Sequence, residues 1–436
     1  MVQRTVFTYV HALAFFFHFA WPYLYTDAPW VHTGTGLVAL VALCVALWRP
    51  DDLRALIVLF VVQLVDVALL MPVVPNHWLL TAVVDLCLLL SFAATRGAPD
   101  TLARVREPLA WGIGIFYFYT GFWKLTEEWF DPAVSCGAHA WHRLAAQFSL
   151  PVDGPGVTTA IYATLVIELL GPIGLVWRRT RGVVVALFVA FHLVLGLDVA
   201  QNFMNFSTVM MSLLVLTLDA DAFGRIAGWV PRIRLLGRGW VVLIVALQVL
   251  ALQPAAYTAF GLLRWLPWVV HALLIVAWFA WLAPAPVPRR AALGVAWLLP
   301  VLVVANGAAP IAGLKTRNSW QMYSNLRLEA DTSNHLLLPR SLDLLGHLAQ
   351  PVTVESVSVP ALQREWDPPV QLTWFTLHNT LEAHPDASVT YRREGQRFVV
   401  DRAGSDPALQ VRSPAWQRWY VWYRPLGPEV ADQCQW

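Results

Sequence analysis

Charged residues are scarce in this sequence: Asp, Glu, Lys and Arg make up 13% of 436 residues, whereas 58% are hydrophobic. Soluble globular proteins carry about a quarter charged residues, so the composition excludes an ordinary cytosolic enzyme and a disordered chain. A net charge of +2 lacks the basic excess of a nucleic-acid-binding protein. Four cysteines are too few for a disulfide scaffold, and we predict no metal site.

Lysine is the rarest of the charged residues. Among 30 basic residues, only Lys124 and Lys315 are lysines. A protein arginine keeps its proton, whereas a desolvated lysine can lose its proton near neutral pH and act as a base. Both lysines are therefore candidate functional residues.

Long apolar runs are abundant. Stretches of about 17–25 apolar residues can cross a bilayer, and we count eleven: 5–25, 33–49, 55–74, 78–95, 108–126, 157–177, 183–199, 202–218, 239–255, 264–283 and 291–307. Arginine is concentrated in alternate connections between these runs, and cytoplasmic loops hold the excess of Lys and Arg. The sequence thus predicts a polytopic α-helical membrane protein with about eleven transmembrane helices, a cytoplasmic N-terminus and an extracytoplasmic C-terminal region.

The composition changes near residue 310. We predict a multi-helix transmembrane domain at 1–310 and an extracytoplasmic soluble α+β domain at 311–436, which holds nearly half of the acidic residues. Alternating patterns predict strands at 351–360, 388–401 and 417–424, with a hairpin turn at Glu394-Gly395 and a short helix within 371–383. The outer loop 127–156 is rich in Trp, His and Pro, which favours a packed loop.

Ionisable residues within the predicted spans are concentrated in their outer half or near the middle. Such residues are costly in a bilayer and indicate function by default, so we predict a polar cavity that opens outward. The residues concerned are Asp66, His77, Asp85, Lys124, Glu168, His192 and His271. An alternative is that Asp66, Asp85 and Glu168 are structural carboxylates, protonated or hydrogen-bonded, and that His271 and His11 are packed.

Lys124 has two interpretations. It can be a base that faces the cavity, with Gly121 allowing close approach of a neighbouring helix, or it can extend from a helix end to the headgroups. Pairing with Glu127 or Glu128 would favour a structural role.

Several segments resemble one family, the vitamin K-dependent gamma-carboxylases and their bacterial relatives with the horizontally transferred transmembrane domain. The segments that carry the resemblance are Tyr119-Thr-Gly-Phe-Trp-Lys-Leu-Thr-Glu-Glu-Trp129, Asn76-His-Trp-Leu-Leu80, Phe191-His192 with Met204-Asn-Phe-Ser-Thr-Val-Met210, Glu168 in Glu-Leu-Leu-Gly-Pro, and 313–327 with Ser333-Asn-His335. The resemblance covers about residues 5–340.

The resemblance implies an enzyme. In the carboxylases, the matching lysine deprotonates a reduced naphthoquinone. Reaction with O2 then yields a base that removes a γ-proton from a peptide glutamate, which takes up CO2 while the quinone leaves as an epoxide. Lys124 would be the base and His77 would assist; the residues expected to bind the cofactor are Asn76, Glu168, His192, Phe206 and Ser207.

Two functions follow as expectations. The first is quinone-coupled carboxylation, or another modification, of a secreted Glu-containing peptide at the outer face of a bacterial inner membrane. The second is a non-enzymatic membrane protein that binds a quinone or lipid and acts in export or immunity with a secreted peptide. Neither involves nucleic acid.

Two further expectations concern the outer face. Cys136 and Cys434 face an oxidising compartment and either form a disulfide or remain separate thiols, whereas Cys44 and Cys87 should stay reduced. The segment 313–335 should cap the cavity close to Lys124 and His77, or else only anchor the outer domain.

Overall fold

The computed structural model describes residues 2–20, 34–198, 203–218, 223–224, 226–251, 266–281, 291–329 and 333–427. Helices predominate, and each of the eleven predicted apolar runs contains one. The helices in these runs are Val2–Phe15, Gly34–Trp48, Leu53–Leu70, Asn76–Ala94, Thr101–Phe122, Pro155–Val176, Arg178–Gly196, Met204–Leu216, Val230–Ala251, Leu266–Trp281 and Leu298–Gly307.

Within the part of the chain that the structure describes, four helices are long and apolar enough to cross a membrane. They are Leu53–Leu70, Asn76–Ala94, Pro155–Val176 and Arg178–Gly196, with 18 to 22 residues each. Shorter apolar helices occur within four other predicted runs. The prediction of a mostly helical protein with several spans is confirmed, whereas the number eleven stays a prediction.

The chain forms two compact units. The first contains Met1–Leu69, His77–Ile115 and Leu170–Val303, and the second contains Leu70–Asn76, Phe116–Leu169 and Val304–Trp436. The unit that holds the predicted outer domain, 311–436, thus also holds the loop 127–156 and Lys124.

The first part of the loop 127–156 is packed, as predicted, whereas residues 146–155 are exposed. It contains the helices Glu127–Phe130 and Cys136–Gln147, which begin after Thr126 and Ser135; the hydroxyls of these two residues accept hydrogen bonds from backbone N–H groups of the first turn. Such caps satisfy amides that would otherwise lack a partner. Trp129 and Cys136 are buried in a cluster with Ile161.

The C-terminal region contains a small antiparallel sheet. Its strands are β1 (Pro351–Val357), β2 (Val370–Thr373), β3 (Val389–Arg393) and β4 (Gln396–Val400), in the order β2-β1-β3-β4. The helix Trp374–Glu382 and the helix Pro360–Trp366 contribute Leu377, Leu381 and Leu362 to the core beneath it. Glu394 and Gly395 both have positive φ between β3 and β4, as a type I′ turn requires, so the predicted hairpin is confirmed.

One secondary-structure prediction in this region is wrong. Residues 417–424 do not form a strand: Ala415–Tyr420 is a helix that starts after Pro414, and only the residues after it are extended. Alternating aromatic residues fit a short helix as well as a strand, because periodicity does not separate the two in short segments. The predicted short helix in the run 371–383 is confirmed: it is Trp374–Glu382, and β2 takes up the first residues of that run.

Candidate functional site

Lys124 lies in the turn that follows the helix Thr101–Phe122 and is buried in the second unit. Its Nζ donates three hydrogen bonds: to Glu168 Oε2 at 2.7 Å, to the Met322 carbonyl at 2.9 Å and to the Thr120 carbonyl at 3.2 Å. An ammonium group has three donors and no acceptor, so this arrangement satisfies it completely. Lys124 is therefore buried within the protein and does not face the headgroups, whereas its predicted orientation toward the helices that bear His77 and His192 stays a prediction.

Gly121 brings the two helices together at this point. A Cβ atom at Gly121 would lie 3.0 Å from Glu168 Cβ and 3.0 Å from Leu169 Cδ2 on the helix Pro155–Val176. Only glycine permits this contact without displacement of the neighbour. The close approach, which the sequence predicted, places the Glu168 carboxylate within hydrogen-bond distance of Lys124.

Glu127 and Glu128 are not the partners of Lys124. The Glu128 carboxylate accepts a hydrogen bond from Asn334 Nδ2 at 2.7 Å and lies 3.9 Å from Arg327. The carboxylate that pairs with Lys124 is instead that of Glu168, which is 44 residues away in the chain.

The segment 313–335 contacts Lys124 directly. It provides the Met322 carbonyl, and its Trp320 amide donates to Asn76 Oδ1 at 2.8 Å. Asn318, Trp320 and Tyr323 all have positive φ, between 52° and 67°. Such backbone strain in non-glycine residues is concentrated at sites where the surrounding structure fixes one conformation. The prediction that this segment lies near Lys124 is confirmed.

Lys315, the other lysine, lies in a different environment. It is fully buried, and its Nζ has no hydrogen-bond partner among the described residues. Its Nζ lies 4.0 Å from the centre of the Tyr420 ring, and burial lowers the Lys315 pKa from 10.5 to about 7. The segment that covers it is held by two hydrogen bonds from the amides of Thr316 and Arg317 to the Trp422 carbonyl.

A second group of predicted site residues lies in the first unit. His77 Nε2 is 3.3 Å from His18 Nδ1. The Phe206 ring lies 5.6 Å from the His77 ring and 4.8 Å from the His192 ring, centre to centre. The Ser207 hydroxyl is buried beside this group and has no hydrogen-bond partner among the residues that the structure describes.

The structure thus sorts the predicted site residues into two sets. Lys124 and Glu168 form an ion pair in the second unit, where Asn76 holds the strained segment. His77, His192, Phe206 and Ser207 belong to the first unit. The joint action of Lys124 and His77 stays a prediction. Sequence reasoning missed His18 and the Met322 carbonyl; the latter is a backbone group, which residue type cannot reveal.

The remaining buried carboxylates have structural partners. Asp66 accepts a hydrogen bond from Trp78 Nε1 at 3.1 Å. Asp85 lies 3.2 Å from His11 Nε2, and both side chains are fully buried. His271 stacks on Phe17 at 5.7 Å. These contacts favour the structural interpretation that the sequence left open for these residues.

The state of three of the four cysteines can be compared with the prediction. Cys136 is disulfide-bonded, whereas Cys44 and Cys87 are free thiols. The predicted partner, Cys434, lies outside the described residues.

Comparison with known proteins gives one match. Residues 76–221 match the HTTM domain, the domain found in vitamin K-dependent gamma-carboxylase. The matched range includes all seven predicted site residues, from Asn76 to Ser207. No curated protein and no solved structure matches the chain. The apolar helices and this match indicate a membrane protein with a carboxylase-like domain.

Proposed function

We propose that this protein is a quinone-dependent membrane enzyme that carboxylates or otherwise modifies a secreted peptide at the outer face of a bacterial inner membrane. The observation that carries the proposal is the buried pair of Lys124 and Glu168, with 2.7 Å between Nζ and Oε2, inside the range that matches the HTTM domain. A buried amine whose proton has a defined acceptor fits general-base chemistry.

The pair provides a way to make Lys124 a base. In the resting arrangement the ammonium is satisfied by Glu168, Met322 and Thr120. Transfer of one proton from Nζ to the Glu168 carboxylate leaves a neutral amine beside a neutral acid, and a buried environment disfavours separated charges. The free amine can then accept the hydroxyl proton of a bound quinol. Glu168 thereby holds the displaced proton close to Lys124.

The histidine and aromatic group of the first unit would bind such a cofactor, as the resemblance to the carboxylases implies. His77 and His192 flank Phe206, and the buried Ser207 hydroxyl, which has no hydrogen-bond partner among the described residues, offers a hydrogen-bond donor. Ring stacking together with a few polar contacts is typical of cofactor sites. When bound, the reduced quinone would supply, with O2, the base for proton removal from glutamate and the addition of CO2. These chain residues would bind and orient it.

A second function is favoured by a specific observation. Lys124 donates three hydrogen bonds and pairs with a carboxylate, as a purely structural ammonium does. In this alternative the protein binds a quinone or lipid without turnover, and it acts in export or immunity with a secreted peptide.

The proposed topology has eleven spans, a cytoplasmic N-terminus and an extracytoplasmic domain from about residue 311. It is supported by the in-phase distribution of arginine. Reporter fusions after Arg290 should be active in the cytoplasm, and fusions after Gly313 should be active outside. The reverse pattern would contradict the orientation.

The function is tested with purified protein in nanodiscs, reduced menaquinone and O2. We expect quinone epoxide in chromatography of the products, and less of it from Glu168→Gln. Lys315→Met is a matched control because it removes the other lysine, which does not contact Lys124. If the wild type binds the quinone but forms no epoxide, the non-enzymatic function replaces the enzyme.

A further inference from the structure

A leucine-rich segment of the second unit is attached to the ends of two helices that lie in predicted membrane-spanning runs, Thr101–Phe122 and Leu298–Gly307. We call residues 336–344 the leucine loop. At its start, the Leu336 amide donates to the Leu125 carbonyl at 2.8 Å, and the preceding His335 bonds through Nε2 to the Phe122 carbonyl at 2.9 Å, where the helix Thr101–Phe122 ends. The loop therefore begins at the level of that helix terminus.

The other end of the loop lies beside the second helix terminus. The Leu342 amide donates to the Ile311 carbonyl at 2.8 Å, and the Leu344 amide donates to the Ala312 carbonyl at 3.0 Å. The helix Leu298–Gly307 ends only a few residues earlier. Both helices run toward this end of the unit, so the loop bridges two helix C-termini.

The loop presents its leucines outward. Leu336, Leu337, Leu342 and Leu344 are 52%, 67%, 69% and 66% exposed, whereas Leu338 packs against the cluster around Trp123. Four exposed leucines within nine residues form an apolar patch of the kind that marks an interaction surface.

The two charged residues of the loop, Arg340 and Asp343, differ in their environments. The Asp343 carboxylate accepts hydrogen bonds from the amides of Leu348 and Ala349 and so is occupied by its own turn. Arg340 is exposed. Leucines with an exposed arginine at helix ends match the boundary between acyl chains and anionic headgroups.

We infer that the leucine loop inserts into the membrane interface, with its four exposed leucines among the acyl chains and Arg340 at the lipid phosphates. The occupant is lipid rather than a protein because the loop is fixed at the ends of two helices in predicted membrane-spanning runs, and the helix that ends at Gly307 is apolar. The last turns of these helices carry the exposed side chains of Phe118 and Val304. The assignment to the outer leaflet rests on the proposed topology, whereas the insertion itself does not.

Spin labels test this inference in the full-length protein in sealed lipid vesicles. Cysteine replaces Leu337 or Leu342 in a background with Cys44→Ala and Cys87→Ala, and each new cysteine carries a nitroxide. The matched control is Val399→Cys in β4, because Val399 is 62% exposed and belongs to the same unit.

Labels at 337 and 342 should collide more often with O2 than with a water-soluble nickel chelate, and the label at 399 should show the reverse. Equal access of the chelate at all three positions would overturn the inference, and so would dipolar broadening from a second copy of the chain. Reduction of the 399 label by external ascorbate reports sidedness separately, so an error in topology is distinguishable from a failure of insertion.

Discussion

Replacement of Lys315 with methionine should stabilise the protein below about pH 9. The amine is fully buried without a hydrogen-bond partner among the described residues, and its pKa is about 7 in the folded protein but near 10.5 when unfolded. The unfolded chain therefore binds more protons between these pH values. The contribution of Lys315 to the free energy of unfolding is therefore least favourable below about pH 7 and becomes more favourable as the pH increases toward 10.5.

The size of the effect follows from the two pKa values. Each pH unit between them corresponds to about 1.4 kcal/mol, so the penalty at and below neutral pH is up to about 5 kcal/mol. The Tyr420 ring, 4.0 Å from Nζ, stabilises the charged amine and acts to raise its folded pKa, so about 5 kcal/mol is the upper bound of the penalty. Burial raises the pKa of Tyr420 to about 12, so its hydroxyl does not titrate in the same range.

Thermal unfolding of the full-length protein in detergent, followed by tryptophan fluorescence from pH 6 to 10, measures this difference. The methionine variant should unfold at a higher temperature than the wild type at pH 6 and should approach it at pH 10. Lys315→Arg, which keeps its charge, should be destabilised throughout. Parallel curves for wild type and methionine variant across this range would refute the reasoning, because Lys315 would then have the same pKa folded and unfolded.

The remaining predictions concern contacts of the second unit. Glu168→Gln leaves a buried ammonium without its counterion and should lower the free energy of unfolding by about 3–5 kcal/mol. The double variant Glu168→Gln with Lys124→Met should lose less stability than the sum of the losses of the two single variants. Additive losses would show that the pair is not coupled. Gly121→Ala places a Cβ 3.0 Å from Glu168 Cβ and should cost about 1–3 kcal/mol in the same unfolding assay, whereas an unchanged midpoint would argue against the close helix contact. Cys434→Ser should leave a reactive thiol at Cys136 under non-reducing conditions, detected by mass spectrometry after alkylation, and an unchanged Cys136 would exclude the predicted bridge.

The sequence predicted helices well because an apolar run long enough to cross a bilayer has few other stable structures. It predicted the turn at Glu394-Gly395 because only a few residue pairs tolerate two positive φ values. It failed at 417–424, where alternating aromatic residues fit a short helix as well as a strand. Hydrophobic periodicity alone does not separate these for short segments.

The candidate site was predicted unevenly for physical reasons. Lys124 stands out by its rarity, and Gly121 indicates close packing, so both could be found without a structure. The partner Glu168 could be named as a candidate, but its pairing could not be predicted, because contacts between residues 44 positions apart depend on how the helices pack. The contact of the Met322 carbonyl and the strained backbone around Trp320 could not be predicted, because neither depends on a recognisable residue type.

Lys124→Arg is the most direct test of the proposal that Lys124 is a base. The guanidinium keeps its proton, yet it can still pair with Glu168 in a folded protein. The account predicts that folded Lys124→Arg forms no more quinone epoxide than Lys124→Ala in the menaquinone assay, while Lys315→Met retains the wild-type rate. Full epoxide formation by folded Lys124→Arg would contradict the account, because a group that stays protonated cannot accept the proton of the quinol.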